Sequence, residues 1–158
     1  MNFDKNGFLT PYQPIVNDLG GFQTNFAFNE HRFSIFDHYL ELIERIKALS
    51  INTFEHWLNG SFVSKKEKPN DLDILMFISV DDFFLYEKAL AILRQEYKNK
   101  HLDLFYIIKR DETDANFNLF QSDYVEWLHL FSKTRRNLRT GIRNNKGFIQ
   151  INYNFDEK

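Results

Sequence analysis

The sequence contains no cysteine, and this absence excludes disulfides, zinc–thiolate sites and thiol catalysis together. Long apolar runs are missing as well, since no uncharged apolar stretch approaches the length of a membrane-spanning helix. The first residues lack the basic region followed by an apolar stretch that marks a secretory signal. We therefore expect a cytoplasmic protein with no membrane association.

Neither sign of charge dominates, because 20 Lys and Arg residues face 22 Asp and Glu residues and give a formal net charge of −2. This balance provides no global attraction to nucleic acid, although it is compatible with a local basic patch. One such run contains no acidic residue. Its basic members are Lys133, Arg135, Arg136, Arg139, Arg143 and Lys146. Contact with phosphate and a mobile solvated loop are both compatible with this run.

The apolar content predicts one domain with a buried core, because 43% of the 158 residues are hydrophobic. Strand and helix patterns alternate along the chain. We expect a single α+β (α/β-like) domain over residues 1–158, in which a mixed β-sheet packs against helices. The apolar residues of segment 1–28 predict an arm that wraps the core. The expected strands are 54–58, 71–78, 102–108 and 147–153.

A long amphipathic helix is predicted from Asn29 onward, because apolar residues recur there at three- and four-residue steps. Asn29 can cap the start of this helix. Arg32 falls on the expected solvated face. His31 and His38 are assigned to the same face, because no persuasive zinc-ligand spacing accompanies them.

Two aspartates begin a strand-like apolar run, Asp71-Leu72-Asp73-Ile74-Leu75-Met76-Phe77-Ile78. Side chains alternate along a strand, so Asp71 and Asp73 should project from one face. Two carboxylates this close repel each other, and a divalent cation with a preference for oxygen ligands would remove the conflict. A strand end with both acids in water is the alternative for an isolated pair. A further strand carries a lone acid, Asp103, which must lie at a strand edge, be paired or bind metal. Taken by itself, Asp103 is interpreted as an edge residue.

A turn and a basic loop precede this strand. Gly60 and Ser61 break the strand 54–58, and a short helix starting after Gly60 would direct its first N–H groups at a phosphate. The loop then carries Lys65, Lys66 and Lys68. Individually these lysines suit a solvated loop, but their position between the Gly-Ser turn and the two aspartates favours charge compensation for a polyphosphate.

Gly60-Ser61, the short loop, Asp71-Leu72-Asp73 and the later Asp103 together resemble the signature of the polymerase-beta-type nucleotidyltransferase superfamily. In more detail the chain resembles a small bacterial branch of that superfamily. The matching segments are Gly-Phe-Leu-Thr-Pro at 7–11, Asn-Glu-His-Arg at 29–32, Trp-Leu-Asn-Gly-Ser-Phe-Val at 57–63, Pro-Asn-Asp-Leu-Asp at 69–73 and Lys-Gly-Phe-Ile at 146–149. The loop departs from the minimal, antitoxin-type members, since Phe62-Val63 stand where an arginine and a glycine are usual.

The resemblance implies a nucleotidyltransferase-type sheet and a metal-dependent reaction that moves a nucleoside monophosphate from an NTP to a hydroxyl of a protein or RNA acceptor. It implies that Asp71 and Asp73 bind Mg²⁺ (or Mn²⁺), that Asp103 completes the metal site, and that Gly60 and Ser61 hold the nucleotide phosphates. A toxin–antitoxin or phage-defence setting, with a toxin or antitoxin partner protein, follows from the same analogy. One alternative is a non-catalytic, nucleotidyltransferase-like module that acts as a regulator or antitoxin. Another is a non-enzymatic protein in which the basic run 133–146 forms an RNA-binding surface.

Overall fold

A five-stranded mixed β-sheet forms the centre of the computed structural model, which describes residues 1–157. In spatial order its strands are β3 (Pro14–Val16), β7 (Phe148–Asn154), β4 (Thr53–Asn59), β5 (Leu72–Ser79) and β6 (Leu102–Lys109). The pairs β3–β7 and β5–β6 are parallel, whereas β4 runs antiparallel to both of its neighbours. The α+β class and the four strand segments expected from the sequence are therefore confirmed.

Helices cover both faces of this sheet. They are α1 (Leu19–Phe26), α2 (Glu30–Ala48), α3 (Val80–Leu85), α4 (Glu87–Lys98) and α5 (Phe117–Phe131), and a small separate ribbon pairs β1 (Asn2–Phe3) with β2 (Leu9–Thr10). Buried residues of α1, α2 and α4 share one core with the sheet, and α5 packs on the opposite face. Within residues 1–157, no helix combines the length and apolarity that crossing a bilayer requires.

Strand β5 is buried on both faces, which explains its nearly continuous apolar sequence. Leu72, Ile74 and Met76 join the core beneath α1, α2 and α4, whereas Leu75 and Phe77 join the core beneath α5. This alternation fixes the face on which every other residue of β5 lies. Asp73, the second residue of β5, therefore lies on the face that α5 covers.

Arg32 in the first turn of α2 is fully buried, so its assignment to the solvated face was wrong. Its Nη1 donates to the carbonyl oxygens of Phe26 (2.8 Å) and Phe62 (2.7 Å). Its Nη2 donates to the carbonyl oxygens of Ser64 (2.8 Å) and Lys66 (2.7 Å). The fork of the guanidinium thus binds the loop between β4 and β5 through backbone oxygens that lie about thirty residues away in sequence.

The guanidinium of Arg32 also lies over two aromatic rings, 4.3 Å from the centroid of Phe28 and 4.8 Å from that of Phe62. Burial lowers the pKa of Arg32 to about 10, so the side chain stays charged at neutral pH. Because its hydrogen bonds go to carbonyl oxygens, the positive charge is solvated by the loop it holds. The loop and the start of α2 therefore depend on each other for their positions.

Two further side chains at the start of α2 hold the same loop. Asn29 caps the helix by accepting from the N–H of Arg32, and its Nδ2 donates to the carbonyl oxygen of Glu67 (2.8 Å). His31 hydrogen-bonds through Nε2 to the carbonyl oxygen of Pro69 (2.7 Å). The cap expected at Asn29 is confirmed, and the hydrogen bonds of Asn29 and His31 extend the anchoring of the loop to Pro69.

A polar network lies inside the core between α2 and the sheet. The hydroxyl of Tyr39 contacts His56 Nδ1 and the Tyr153 hydroxyl, each at 2.9 Å. His56 is fully buried, and its Nε2 has no hydrogen-bond partner among the described residues. Burial lowers the pKa of His56 to about 3, so the imidazole is neutral at physiological pH.

Replacing Arg32 by methionine should lower the free energy of unfolding by at least about 3 kcal/mol, because the carbonyl oxygens of the loop would lose a buried charged donor. The matched control is Arg45→Met on the same helix, where the arginine pairs with Glu96 at the surface. That change should cost no more than about 1 kcal/mol. Urea unfolding followed by tryptophan fluorescence measures both, and equal losses would contradict the anchoring role of Arg32.

As pH is lowered, the free energy of unfolding of the wild type should decrease more steeply than that of a His56→Asn variant, because His56 takes up a proton on unfolding. The unfolded imidazole binds a proton near pH 6.5 and the folded one near pH 3, so between these values the unfolded state holds more protons and stability drops as pH falls. From pH 6.5 to about pH 5 the extra loss should be about 1.6 kcal/mol. Urea titrations at several pH values test this, and parallel pH profiles would rule out a neutral buried His56.

Candidate metal centre

Three aspartates converge at the end of the sheet where β5 and β6 begin. Asp73 and Asp103 are register partners on these parallel strands, and Asp71 lies two residues before Asp73 on the same face. One carboxylate oxygen from each of the three lies within 4.8 Å of the other two. The structure therefore brings all three predicted acids together. Asp103 lies on the edge strand β6, in agreement with its interpretation as an edge residue, and its carboxylate also lies near the other two.

Partial burial and mutual repulsion both act on this triad, Asp71, Asp73 and Asp103. Burial, followed by the charges of Asp71 and Asp103, raises the pKa of Asp73 to about 6. Burial and the adjacent Asp103 carboxylate likewise raise the pKa of Asp71. The site thus resists holding three negative charges and stabilises any positive charge that enters it.

The donor set suits a hard divalent cation. All three ligand groups offer carboxylate oxygens, which Mg²⁺, Mn²⁺ and Ca²⁺ prefer over nitrogen or sulfur. None of the three carboxylates belongs to a salt bridge among the described residues. The triad could consequently bind a metal ion, and the repulsion between its members gives the reason why it would.

Asn59 supplies a further oxygen that the sequence analysis did not identify. It ends β4 opposite Asp73, so Asn59, Asp73 and Asp103 form one row across three strands. Its Nδ2 donates to the carbonyl oxygen of Phe131 (3.1 Å), whereas its Oδ1 is buried with no hydrogen-bond partner in residues 1–157. A buried acceptor beside the triad is available to a bound cation or donor. In the sequence, the feature that could have indicated this role is that Asn59 is a polar residue at the end of an apolar strand, directly before Gly60.

Gly60 lets the chain pass close to the triad. Its φ of +84° lies in the left-handed region, and a Cβ at this position would lie 3.0 Å from Asp73 Oδ2. The chain then makes a turn in which the N–H of Val63 donates to the carbonyl oxygen of Gly60 (3.2 Å). No helix starts after Gly60, so the helix dipole that would have favoured a phosphate at Ser61 is absent here.

A cleft of about 910 Å³ opens over the triad, and only two of the three predicted loop lysines line it. Gly60, Ser61, Lys65 and Lys66 line this cleft together with the three aspartates. Lys68 does not line it and instead borders a separate depression beside the start of α2. Two of the three lysines are therefore placed where an anion bound near the triad could meet them.

Three members of the late basic run, Lys133, Arg135 and Lys146, also reach the cleft. Lys146 and Arg135 line it, and both act electrostatically on Asp73. Lys146 is half-buried, and burial lowers its pKa although Asp73 opposes the change. The site therefore presents a negative centre with positive side chains on its rim, an arrangement that suits a metal ion together with an anionic ligand.

Substituting Gly60 by alanine should weaken Mn²⁺ binding about tenfold, because the new methyl group would displace the Asp73 carboxylate. The matched control is Gly141→Ala, where φ is +69° and nothing lies within 4 Å of the added Cβ. Both variants carry the same backbone cost of roughly 1–2 kcal/mol, but only the first should change metal affinity. Titration calorimetry with Mn²⁺ measures this, and equal affinities in the two variants would contradict it.

Comparison with known proteins yields one match. No curated protein and no solved structure matches the chain. The model of one protein family matches residues 1–152, which is nearly the whole sequence. The chain therefore belongs to that family, which is described as a family of unknown function (DUF6932).

Proposed function

We propose that this protein is a metal-dependent nucleotidyltransferase, which moves a nucleoside monophosphate from an NTP to a hydroxyl group of a protein or RNA acceptor. The observation that carries the proposal is the convergence of Asp71, Asp73 and Asp103 beside the Gly60-Ser61 turn. The proposed fold is of the nucleotidyltransferase type, with the turn after β4 and the acids at the starts of β5 and β6. The resemblance found in the sequence motifs supports the same assignment.

In this proposal Asp71 and Asp73 hold Mg²⁺ or Mn²⁺, and Asp103 completes the ligand set. The bound metal would neutralise charge that develops on the attacking and leaving oxygens of the phosphoryl group. The residues themselves contribute rigid placement, since Asp73 and Asp103 lie on paired strands and Asn59 closes the row. Placement of this kind is the main contribution a protein makes to phosphoryl transfer.

The reaction itself forms one bond and breaks another. The acceptor hydroxyl oxygen attacks the α-phosphorus of the NTP, and the bond from that phosphorus to the oxygen bridging to the β-phosphate breaks. Pyrophosphate leaves with the electron pair. The hydroxyl proton passes to a carboxylate, for which Asp103 is the candidate because it lies at the edge of the sheet beside the other two acids.

The triphosphate would be held by the rim of the cleft. Ser61, Lys65 and Lys66 approach from the loop, and Arg135 and Lys146 approach from the late basic run. Their positive charges complement a polyphosphate, and the guanidinium of Arg135 can bind two phosphate oxygens at once. Lys68 has no place in this arrangement because it lies outside the cleft.

A second candidate is a non-catalytic binding module that acts as a regulator or as the antitoxin of a toxin–antitoxin or phage-defence pair. The observation in its favour is the half-buried Lys146, which acts on Asp73 as a fixed positive charge. A lysine in that position balances part of the negative charge of the triad without a metal ion. Such a module would bind nucleotide without turnover.

The double variant Asp71→Asn, Asp73→Asn should lose transfer activity by about a thousandfold or more. Loss of metal binding removes several kcal/mol of transition-state stabilisation, at ~1.4 kcal/mol for each factor of ten. The assay incubates purified protein with each α-labelled NTP and Mg²⁺ or Mn²⁺ in host lysate, and follows label on RNA and on protein. Mn²⁺ titration of the same variant gives an independent readout of the metal site.

The matched control is Asp81→Asn, Asp82→Asn, which removes two charges at the first turn of α3, at the opposite end of β5. This control should keep both transfer and Mn²⁺ binding. Nucleotide binding by the wild type without label on any acceptor would favour the non-catalytic module. Transfer that survives in the Asp71, Asp73 variant would contradict both the site and the proposed chemistry.

A further inference from the structure

Segment 132–147, here called the basic hairpin, concentrates positive charge in a protein that is otherwise acidic. It carries six basic residues and no acidic residue, although the formal net charge of the chain is −2. The remainder of the chain therefore carries −8. Such a separation of charge creates a local positive field that a balanced distribution would cancel. The basic members are Lys133, Arg135, Arg136, Arg139, Arg143 and Lys146.

Backbone hydrogen bonds give the basic hairpin a defined shape. The N–H of Lys146 donates to the carbonyl oxygen of Ser132 (2.9 Å), and the N–H of Thr134 donates to that of Asn144 (2.9 Å). Nearer the tip, the N–H of Asn137 donates to the carbonyl oxygen of Ile142 (3.0 Å). The two arms are therefore paired along most of their length.

The charges on this hairpin are available to a ligand. Arg136, Arg139 and Arg143 are exposed, and none of the six basic side chains belongs to a salt bridge within residues 1–157. The three salt bridges of the described chain all lie elsewhere, on α2, α4, the turn between α4 and β6, and the segment after β6. A positive surface without internal counterions attracts polyanions.

The base of the basic hairpin lines the cleft that contains the triad. Lys133, Arg135 and Lys146 border the cleft, whereas the three other arginines continue the positive surface away from it. A polyanion lying along the hairpin would therefore lead to the carboxylates. Two half-buried rings, Phe105 and Trp127, line the same cleft with their centroids 5.1 Å apart.

We propose that the basic hairpin binds the phosphodiester backbone of a single-stranded polynucleotide and directs one end of that strand into the cleft. This deepens the proposed function, on which it rests, by naming the class of acceptor. The terminal hydroxyl of the strand is then the attacking group: its oxygen bonds to the α-phosphorus, pyrophosphate departs, and its proton passes to Asp103. The strand gains one nucleotide.

A polynucleotide fits these observations better than an acidic protein. Four of the six basic residues are arginines, whose planar fork matches phosphate oxygens in pairs. Single-strand-binding sites combine a positive track with aromatic rings on which bases stack, and the half-buried Trp127 supplies such a ring beside the track. RNA and DNA share the backbone that the hairpin would contact, so the test includes both.

The test measures binding of fluorescein-labelled single-stranded RNA and DNA, each about 15 nucleotides long, by fluorescence anisotropy. The variant Arg136→Gln, Arg139→Gln, Arg143→Gln removes three charges that do not line the cleft. Its affinity should fall at least about tenfold, and the slope of log K against log salt, between about 50 and 200 mM, should become shallower by about 2. Binding of Mn²⁺ and NTP should stay unchanged.

The matched control is Lys88→Gln, Lys98→Gln, Lys109→Gln, which removes the same charge from exposed positions on α4 and at the far end of β6. It should bind the strand like the wild type. Equal losses in the two variants would overturn the proposal, because net charge alone would then explain binding. Competition by polyglutamate as effective as that by RNA or DNA would overturn it in favour of an acidic protein partner.

Transfer is measured separately with the same strands and α-labelled NTP. Label on the wild-type RNA or DNA strand, lost in the hairpin variant while NTP binding persists, supports the proposal and identifies the nucleic acid. Label on protein with none on either strand overturns the acceptor assignment and leaves nucleotidyl transfer standing. If the polynucleotide binds through the basic hairpin but no acceptor is labelled, the binding surface is supported and only the proposed nucleotidyl transfer is contradicted.

Discussion

Repulsion among three carboxylates at one end of the sheet is the constraint to which the surrounding structure responds. Asp71, Asp73 and Asp103 are partly withdrawn from water, which is why the pKa of Asp73 rises to about 6. A fold under selection for stability alone would place a neutral residue at one of these positions. The neighbouring features all reduce the conflict: Gly60 leaves room for the Asp73 carboxylate, and Lys146 adds a positive charge beside it.

The loop that approaches these acids is held from the opposite side by a second buried charge. Arg32 donates to carbonyl oxygens of Phe62, Ser64 and Lys66, and its guanidinium lies over two aromatic rings. The backbone of the loop is therefore held through its oxygens. The side chains of Lys65 and Lys66 line the cleft, and the Lys65 ammonium group lies 5.0 Å from the centroid of the Phe3 ring. A loop anchored through its backbone oxygens thus replaces the helix that the sequence suggested, and it brings Lys65 and Lys66 to the cleft without a helix dipole.

Periodicity in the sequence predicted the parts of the site that depend on local geometry. Alternation along β5 placed Asp71 and Asp73 on one face, and the capping role of Asn29 followed from its position before the helix. Contacts between distant segments were not predictable in this way. Arg32 lies on a helix whose polar pattern indicated solvent, yet its partners are some thirty residues away. The separation of Lys68 from the cleft depends on the same anchored loop.

The acidic and basic side chains of the cleft lie near each other but form no salt bridges within residues 1–157. Lys146 and Arg135 act on Asp73, yet no salt bridge joins the triad to a basic residue among residues 1–157. Direct pairing would satisfy both sets and close the cleft to ligands. Because the acids and the bases do not pair, both can still bind groups of opposite charge. A cation bound to phosphate would supply positive charge to the acids and negative charge to the bases. The arrangement therefore favours a ligand that brings metal and phosphate together, and a metal-bound nucleoside triphosphate has that chemistry.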